Sequence, residues 1–334
     1  MSDYFRHNIN LAKRFVSDMN IPISMLSDKW FPYFLELYEK DFSAMSKWEK
    51  LWKMIDESFG GDAEAFLHYY YEIRDSIIVT ISNSAAYNGF NNMSMDRFCV
   101  VGKPSVSSNN VYNCDNVGKT FLGVDLRKAN FQALRFVNPD IVLNASSYVE
   151  FIRKFTDLDY IAESKYTRQV VFGKLNPKRH ITVEKWLVNE MWKVFRDLYP
   201  DLSGGLVSMM SDEFIVEVDR NTDSSLPREI ETNISNALDI DVKVSLFSLS
   251  SGSIVSQETG DRKSPFYVRH DIVNGTDRLM CVPLQYHALV YKLYKGMPLD
   301  EPDYHFNYEG IECRFMENFK LLYEDGEDKG SSIC

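Results

Sequence analysis

The chain lacks the cysteine spacings that build a zinc site or a disulfide framework. Its five cysteines, Cys99, Cys114, Cys281, Cys313 and Cys334, are scattered, with no CxxC and no Cys/His pairing. Such usage fits a reducing compartment. A secretory leader and an apolar run of membrane-spanning length are also missing, so a cytoplasmic protein with no membrane partner is expected. No complete P-loop is present. The GKT at 118–120 has Asn113 where the upstream glycine belongs, and an apolar strand pattern follows in place of a helix. Positive charge is in deficit, with 37 Lys and Arg against 48 Asp and Glu, giving a net charge of −11. That excludes a broad nucleic-acid-coating surface, and any phosphate contact must come from a local basic patch. His270, His287 and His305 are dispersed, none with a partner at metal-ligand spacing.

What is there is an ordinary globular composition, 45% hydrophobic, over 334 residues. That length supports one large or two to three small domains. Residues 1–95 have a helical pattern, with aromatic and aliphatic residues at three- and four-residue spacing over 30–38, 45–59 and 63–81. Gly60–Gly61 breaks the second of these helices and Asp62 is placed to cap the third. From 98 to 120 the pattern turns to short strands (FCVVG) and loops. Residues 251–323 read as a small C-terminal α/β extension, with a strand at 278–282, a helix at 284–294 and two short strands near 304–315. EDGEDKGSSIC, 324–334, reads as a disordered tail.

Two stretches carry the chemistry. GGLVSMMSDEFIVEV, 204–218, has apolar runs at 206–210 and 214–218 on either side of Asp212-Glu213, the pattern of a β-hairpin with two adjacent carboxylates at its corner. Adjacent carboxylates repel, and in a desolvated setting they need a counter-charge. Upstream, TFLGVDLRKANF, 120–131, is an apolar strand ending in Asp125 and leading into a helix over 131–136 that Asn138-Pro139 stops. One strand-ending carboxylate plus a hairpin pair matches the ligand set of a two-metal phosphoryl-transfer site. The plain alternative is a solvated turn at 212–213 and a helix cap at Asp125.

Between these stretches lies the densest basic segment, ESKYTRQVVFGKLNPKRH. Its Lys165, Arg168, Lys174, Lys178 and Arg179 can meet a triphosphate or a nucleic-acid backbone. Helices are expected over 146–170, 183–199 and 227–238, and DVKVSLFSL at 241–249 alternates as a strand. The order β, helical insert, α, β-hairpin, α, β is that of a ferredoxin-like antiparallel sheet, which sets Asp125 and the hairpin on neighbouring central strands.

These residues resemble the palm domain of template-dependent polymerases and nucleotidyltransferases. Asp125-Leu126-Arg127-Lys128-Ala129-Asn130-Phe131 resembles the first palm motif, and Ser211-Asp212-Glu213 resembles the hairpin motif. The segment with Lys165, Arg168 and Phe172-Gly173 is similar to a basic fingers helix. Met210 and Ser211 stand where reverse transcriptases carry an aromatic. Transfer-RNA guanylyltransferases and diguanylate cyclases share this sheet.

The resemblance implies an α+β fold with a palm-like catalytic domain over 96–250, carrying a fingers-like insert at about 146–182. It implies Asp125, Asp212 and Glu213 as catalytic, metal-binding residues for Mg²⁺ or Mn²⁺, as two ions. Lys165, Arg168, Lys174 and Arg179 would neutralise phosphate, and Asn130 or Phe131 would lie near the sugar. The partners implied are nucleoside triphosphates and a nucleic-acid primer or template. Apart from the resemblance, the net charge of −11 allows further protein subunits that supply a basic nucleic-acid channel, and the aromatic N-terminal region can equally serve as a docking surface. Two other readings stand beside nucleotide addition to a 3′-hydroxyl. One is a nucleotide cyclase or dinucleotide synthase on the same sheet, and the other is a non-catalytic structural or nucleic-acid-binding protein.

Overall fold

The computed structural model describes residues 5–100, 102, 104, 106 and 110–324, and the chain is α+β with one large antiparallel sheet. Six helices come first: α1 (Ile9–Met19), α2 (Phe31–Leu37), α3 (Glu39–Phe42), α4 (Ala44–Phe59), α5 (Ala63–Asn83) and α6 (Ala85–Asn92). Their ends follow local chemistry. The Asn8 side chain caps α1 by accepting from the N–H groups of Asn10 and Leu11, and Asp62 does the same for α5 from Glu64 and Ala65. Gly60 closes α4 with φ +61°, a conformation that costs glycine little.

After β1 (Thr120–Leu126) come α7 (Ala129–Val137), α8 (Tyr148–Arg153), α9 (Asp159–Glu163), α10 (Lys165–Lys174), α11 (Pro177–Leu198) and α12 (Pro200–Ser203). The single helix expected over 146–170 is three, because Ser147 and Ser164 each cap a new start by accepting backbone N–H groups. Helix α11 begins six residues earlier than its apolar periodicity suggests, with Pro177 in its first turn.

The hairpin strands β2 (Leu206–Met209) and β3 (Glu213–Val218) follow, then α13 (Leu226–Leu238) and β4 (Val242–Ser256). The C-terminal part adds β5 (Arg262–Asp271), β6 (Thr276–Met280), α14 (His287–Tyr294), β7 (His305–Tyr308), β8 (Ile311–Arg314) and β9 (Phe319–Glu324). In the main sheet the strand order is β2-β3-β1-β4-β5-β6, and β9 also pairs with β4. Every neighbour is antiparallel. Strand β4 runs through the boundary expected at 250, so the C-terminal segment extends the same sheet. Strands β5 and β9 carry no clear alternation in sequence. The strand expected at FCVVG is a 3-10 turn at Asp96–Phe98 followed by irregular chain, with Val101 outside the described residues. Residues 325–334 of the expected tail also lie outside them.

Strand alternation sorts the side chains onto two faces. Leu122, Val124 and Leu126 of β1 join Phe214, Val216, Val242, Val244 and Leu246 in a core shared with the N-terminal helices and with α7, α11 and α13. The opposite face carries Phe121, Ile215, Phe247 and Leu249, covered by Val111. A third core, including Phe266, Val268, Leu289 and Val290, sits under α14.

The two ends of the chain are tied by polar contacts. Lys292 on α14 donates to Tyr33 Oη (2.8 Å), Asp300 (2.6 Å) and Asp303 (2.9 Å). Trp30 Nε1 donates to Glu312 (2.9 Å).

Candidate active site at the end of the central strands

Register brings the carboxylates of the two sequence motifs to one end of the sheet. Asp125 sits opposite Glu213 on β3 and opposite Lys243 on β4. The hairpin corner is closed by Met210 N–H donating to the Glu213 carbonyl (2.7 Å). It is pinned to β1 by Leu126 N–H donating to the Asp212 carbonyl (2.7 Å). Gly205 allows the hairpin to close at its base, since a Cβ there would meet the Glu217 carbonyl oxygen at 2.3 Å.

Within this group the three carboxylates differ. Burial, and then repulsion from Asp212, raises Asp125 above the ordinary aspartate range. Burial also pushes Glu213 up to about 6; Arg269 opposes the shift, while Asp125 and Asp212 add to it. Glu213 has a protein counter-ion, its Oε1 lying 3.6 Å from Arg269 Nη1. Arg269 is itself fixed, donating to Ser245 Oγ (2.6 Å) and lying 3.7 Å from the centre of the Phe247 ring. The Glu213 carboxylate rests on the backbone of β1 at Gly123, where an added Cβ would meet Glu213 Oε1 at 2.7 Å. Asp125 and Asp212 have no ion pair among the described residues.

Two participants escaped the sequence reading. Arg269 comes from β5, 56 residues beyond Glu213, and nothing local to it in sequence marks it (269 − 213). Glu184 on α11 is 4% exposed and accepts a short hydrogen bond from Asn130 Nδ2. Burial pushes Glu184 up to about 7, Asn130 opposes this, and the charge of Asp212 raises it further. A lone glutamate on the apolar side of an amphipathic helix was the available signal.

The residues expected to meet substrate divide into groups. Asn130 is engaged by Glu184. Phe131 is 1% exposed, packed against Tyr148 and Phe151 with ring centres 6.1 Å away in each case. Lys165 and Arg168 lie one turn apart on α10, and the charge of Arg168 also acts on Lys128 at the start of α7. Arg179 points elsewhere, donating to the carbonyls of Phe90 (2.7 Å) and Met93 (2.6 Å) at the end of α6. Lys174 lines a separate cavity of about 450 Å³ at the α10–α11 corner, with Lys178, Asn91 and Tyr87. A second cleft, of about 540 Å³, adjoins the hairpin corner and is lined by Ile181, Lys185, Asn189, Met209, Met210 and Ser211.

Among the described residues no group of three or more His, Cys, Asp and Glu side chains lies at metal-ligating spacing. With Glu213 on Arg269, the oxygen donors free for a hard cation are those of Asp125 and Asp212. Two carboxylates fit Mg²⁺, which commonly takes one or two from the protein and completes its shell with water and substrate phosphate. Among the described residues no helix is long and apolar enough to cross a membrane. The chain matches no protein-family model, no curated protein and no solved structure.

Proposed function

We propose that this protein is a metal-dependent nucleotidyltransferase of palm type, adding nucleotides to a 3′-hydroxyl with release of pyrophosphate. One observation carries the reading. The strand-ending Asp125 and the hairpin carrying Asp212 meet at one end of a β2-β3-β1-β4 antiparallel sheet, and neither carboxylate is in an ion pair among the described residues. That strand order, with helices between β1 and β2 and between β3 and β4, matches a ferredoxin-like sheet.

In this reading Asp125 and Asp212 would hold the divalent ions, whose chemistry is to activate the hydroxyl and to stabilise charge on the transferring phosphoryl group. Glu213 stays with Arg269 and keeps the corner rigid. Arg168 and Lys165 neutralise phosphate, and electrostatic stabilisation of that kind is the main catalytic lever in phosphoryl transfer. Asn130, held by Glu184 at the start of α7, stands beside the reacting group and orients the sugar. The cleft between α11 and the hairpin, with Met209 and Met210 on one wall, gives a nucleobase an apolar surface next to Asp212.

The test is incubation with labelled NTPs or dNTPs and Mg²⁺ or Mn²⁺, with and without a primed template, for wild type and Asp212→Ala. Primer extension that the substitution abolishes supports the reading. Product formed from free nucleotides alone moves it to a cyclase or dinucleotide synthase. No product under any condition contradicts it.

A further inference from the structure

Away from the hairpin corner, a serine, a histidine and an aspartate form a relay across β4, β5 and β6. Ser250 Oγ lies 2.7 Å from His270 Nε2, and His270 Nδ1 lies 2.7 Å from Asp277 Oδ1. The strand register explains the convergence. His270 stands directly opposite Asp277 on β6 and opposite Ser248 on β4, so Ser250 is its diagonal neighbour on the same face. Arg269, the preceding residue of β5, turns to the other face, where it meets Ser245 and the Phe247 ring. The relay is therefore separate from the carboxylates at the hairpin corner.

The hydrogen bonds run in one direction. Burial raises Asp277, but the bonds from Tyr294 Oη (2.8 Å) and from His270 outweigh it and hold the carboxyl below its ordinary range. An ionised carboxylate only accepts, so Nδ1 carries the proton of the neutral imidazole and Nε2 is left as the acceptor. Ser250 therefore donates to Nε2. Its oxygen accepts in turn from Tyr323 Oη on β9, 2.6 Å away. Ser250 is 7% exposed, whereas the side chains of His270 and Asp277 are 29% and 34% exposed, so the group opens to solvent on the histidine side. Ser250 also stands where β4 changes neighbours: β1 pairs with it as far as Ser248, and β9 takes up the pairing at Ser251.

We infer that Ser250 is a nucleophile activated by His270, with Asp277 as the positioning residue, in a second site that hydrolyses carboxylic esters. A hydroxyl bonded to a histidine base that a carboxylate orients is the arrangement that activates serine, and it is defined by geometry, not by order in the chain. The serine oxygen attacks the ester carbonyl carbon while its proton passes to Nε2. The carbon–oxygen bond to the alcohol breaks, and the alcohol leaves with that proton. Water then attacks the acyl-serine and gives a proton to Nε2; the serine leaves with it, and the carboxylic acid is released. Tyr323 Oη, already at the serine oxygen, is placed to donate to the negative charge that develops beside it. An ester needs less of that help than an amide, because its alcohol is the better leaving group. This site does not rest on the proposed nucleotidyl transfer.

The test is reaction of the full chain with a fluorophosphonate probe, the modified residue being located by peptide mass spectrometry. The adduct should sit on Ser250. His270→Ala should slow its formation about a hundredfold or more, and added imidazole should restore part of the rate. Asp277→Asn should slow it about tenfold or more, and Asp277→Glu should retain more of the rate than Asp277→Asn. p-Nitrophenyl acetate should be hydrolysed with an initial burst, and Ser250→Ala should remove both the burst and the turnover. A serine serving only as a cross-strand contact would stay unlabelled, and its substitution would move the melting temperature alone. No adduct at Ser250 in the wild type, an equal labelling rate in His270→Ala, or nitrophenolate release that Ser250→Ala leaves unchanged would overturn the proposal.

Discussion

Asp125 and Glu213 face each other across the β1–β3 ladder, yet only Glu213 has a cationic partner within ion-pair distance, Arg269 at 3.6 Å. Two carboxylates at the same level of the sheet thus have different capacities. One has a cation in ion-pair contact, and the other has only the longer-range charges of Lys243, Arg269 and Arg127.

The Glu213–Arg269 contact is expected to behave as a coupled, mostly buried pair. Arg269→Met leaves Glu213 desolvated beside Asp125 and should cost about 2–4 kcal/mol at pH 8. Adding Glu213→Gln should restore a large part of the loss. A double-mutant cycle by urea denaturation measures this; additive effects would show that the pair is not coupled.

Glu184 gives a pH signature whose sign is fixed. Its pKa in the folded protein is pushed up to about 7 from an ordinary 4.5, so the folded state holds a proton that the unfolded state has released between those values. Stability from this group is therefore full below about pH 4.5 and is lost as pH rises through 7. Glu184→Gln should equal wild type near pH 4.5 and exceed it by about 2–3 kcal/mol at pH 8 in EDTA. A difference between the two proteins that does not change with pH would contradict this account of Glu184.

Lys292 separates a buried ion pair from an exposed one on a single side chain. Asp303 has no exposed side-chain surface, and Asp300 is 58% exposed. Asp303→Ala leaves the Lys292 ammonium and Tyr33 short of a buried partner and should cost about 3–5 kcal/mol. Asp300→Ala should cost no more than about 1 kcal/mol. Thermal denaturation of the two variants compares them directly, and equal losses would show that burial does not set the value of these contacts.

The parts of the chain that were legible in sequence are those governed by local rules. The hairpin at 206–218, the cap at Asp62 and the helix of 227–238 follow from alternation, capping and proline placement, and the structure has all three. Local rules also split 146–170 at Ser147 and Ser164, but there the apolar periodicity hides the breaks. Strand β5 was illegible because its buried Phe266 and Val268 share a core with Leu289 and Val290 of α14 and Phe319 of β9, residues distant in the chain. The same applies to the site. Asp125 and Asp212 stand out by their positions at strand ends. Arg269 and Glu184 acquire meaning only when the sheet and the helices around it bring them beside those positions. Lys174 and Arg179 show the reverse, being neighbours of Arg168 in sequence while α10 and the turn after it carry them to another surface.

The central claim is that Asp125 and Asp212 together hold divalent cations, and Mn²⁺ binding followed by electron paramagnetic resonance tests it most directly. Free Mn²⁺ signal should fall as the wild-type protein is added, and Asp125→Asn and Asp212→Asn should each abolish most of that uptake while remaining folded in EDTA. Glu213→Gln should retain it, because Glu213 is already neutralised by Arg269. Uptake that survives both aspartate substitutions, or a wild type that binds no Mn²⁺ with or without a nucleoside triphosphate, would contradict the account.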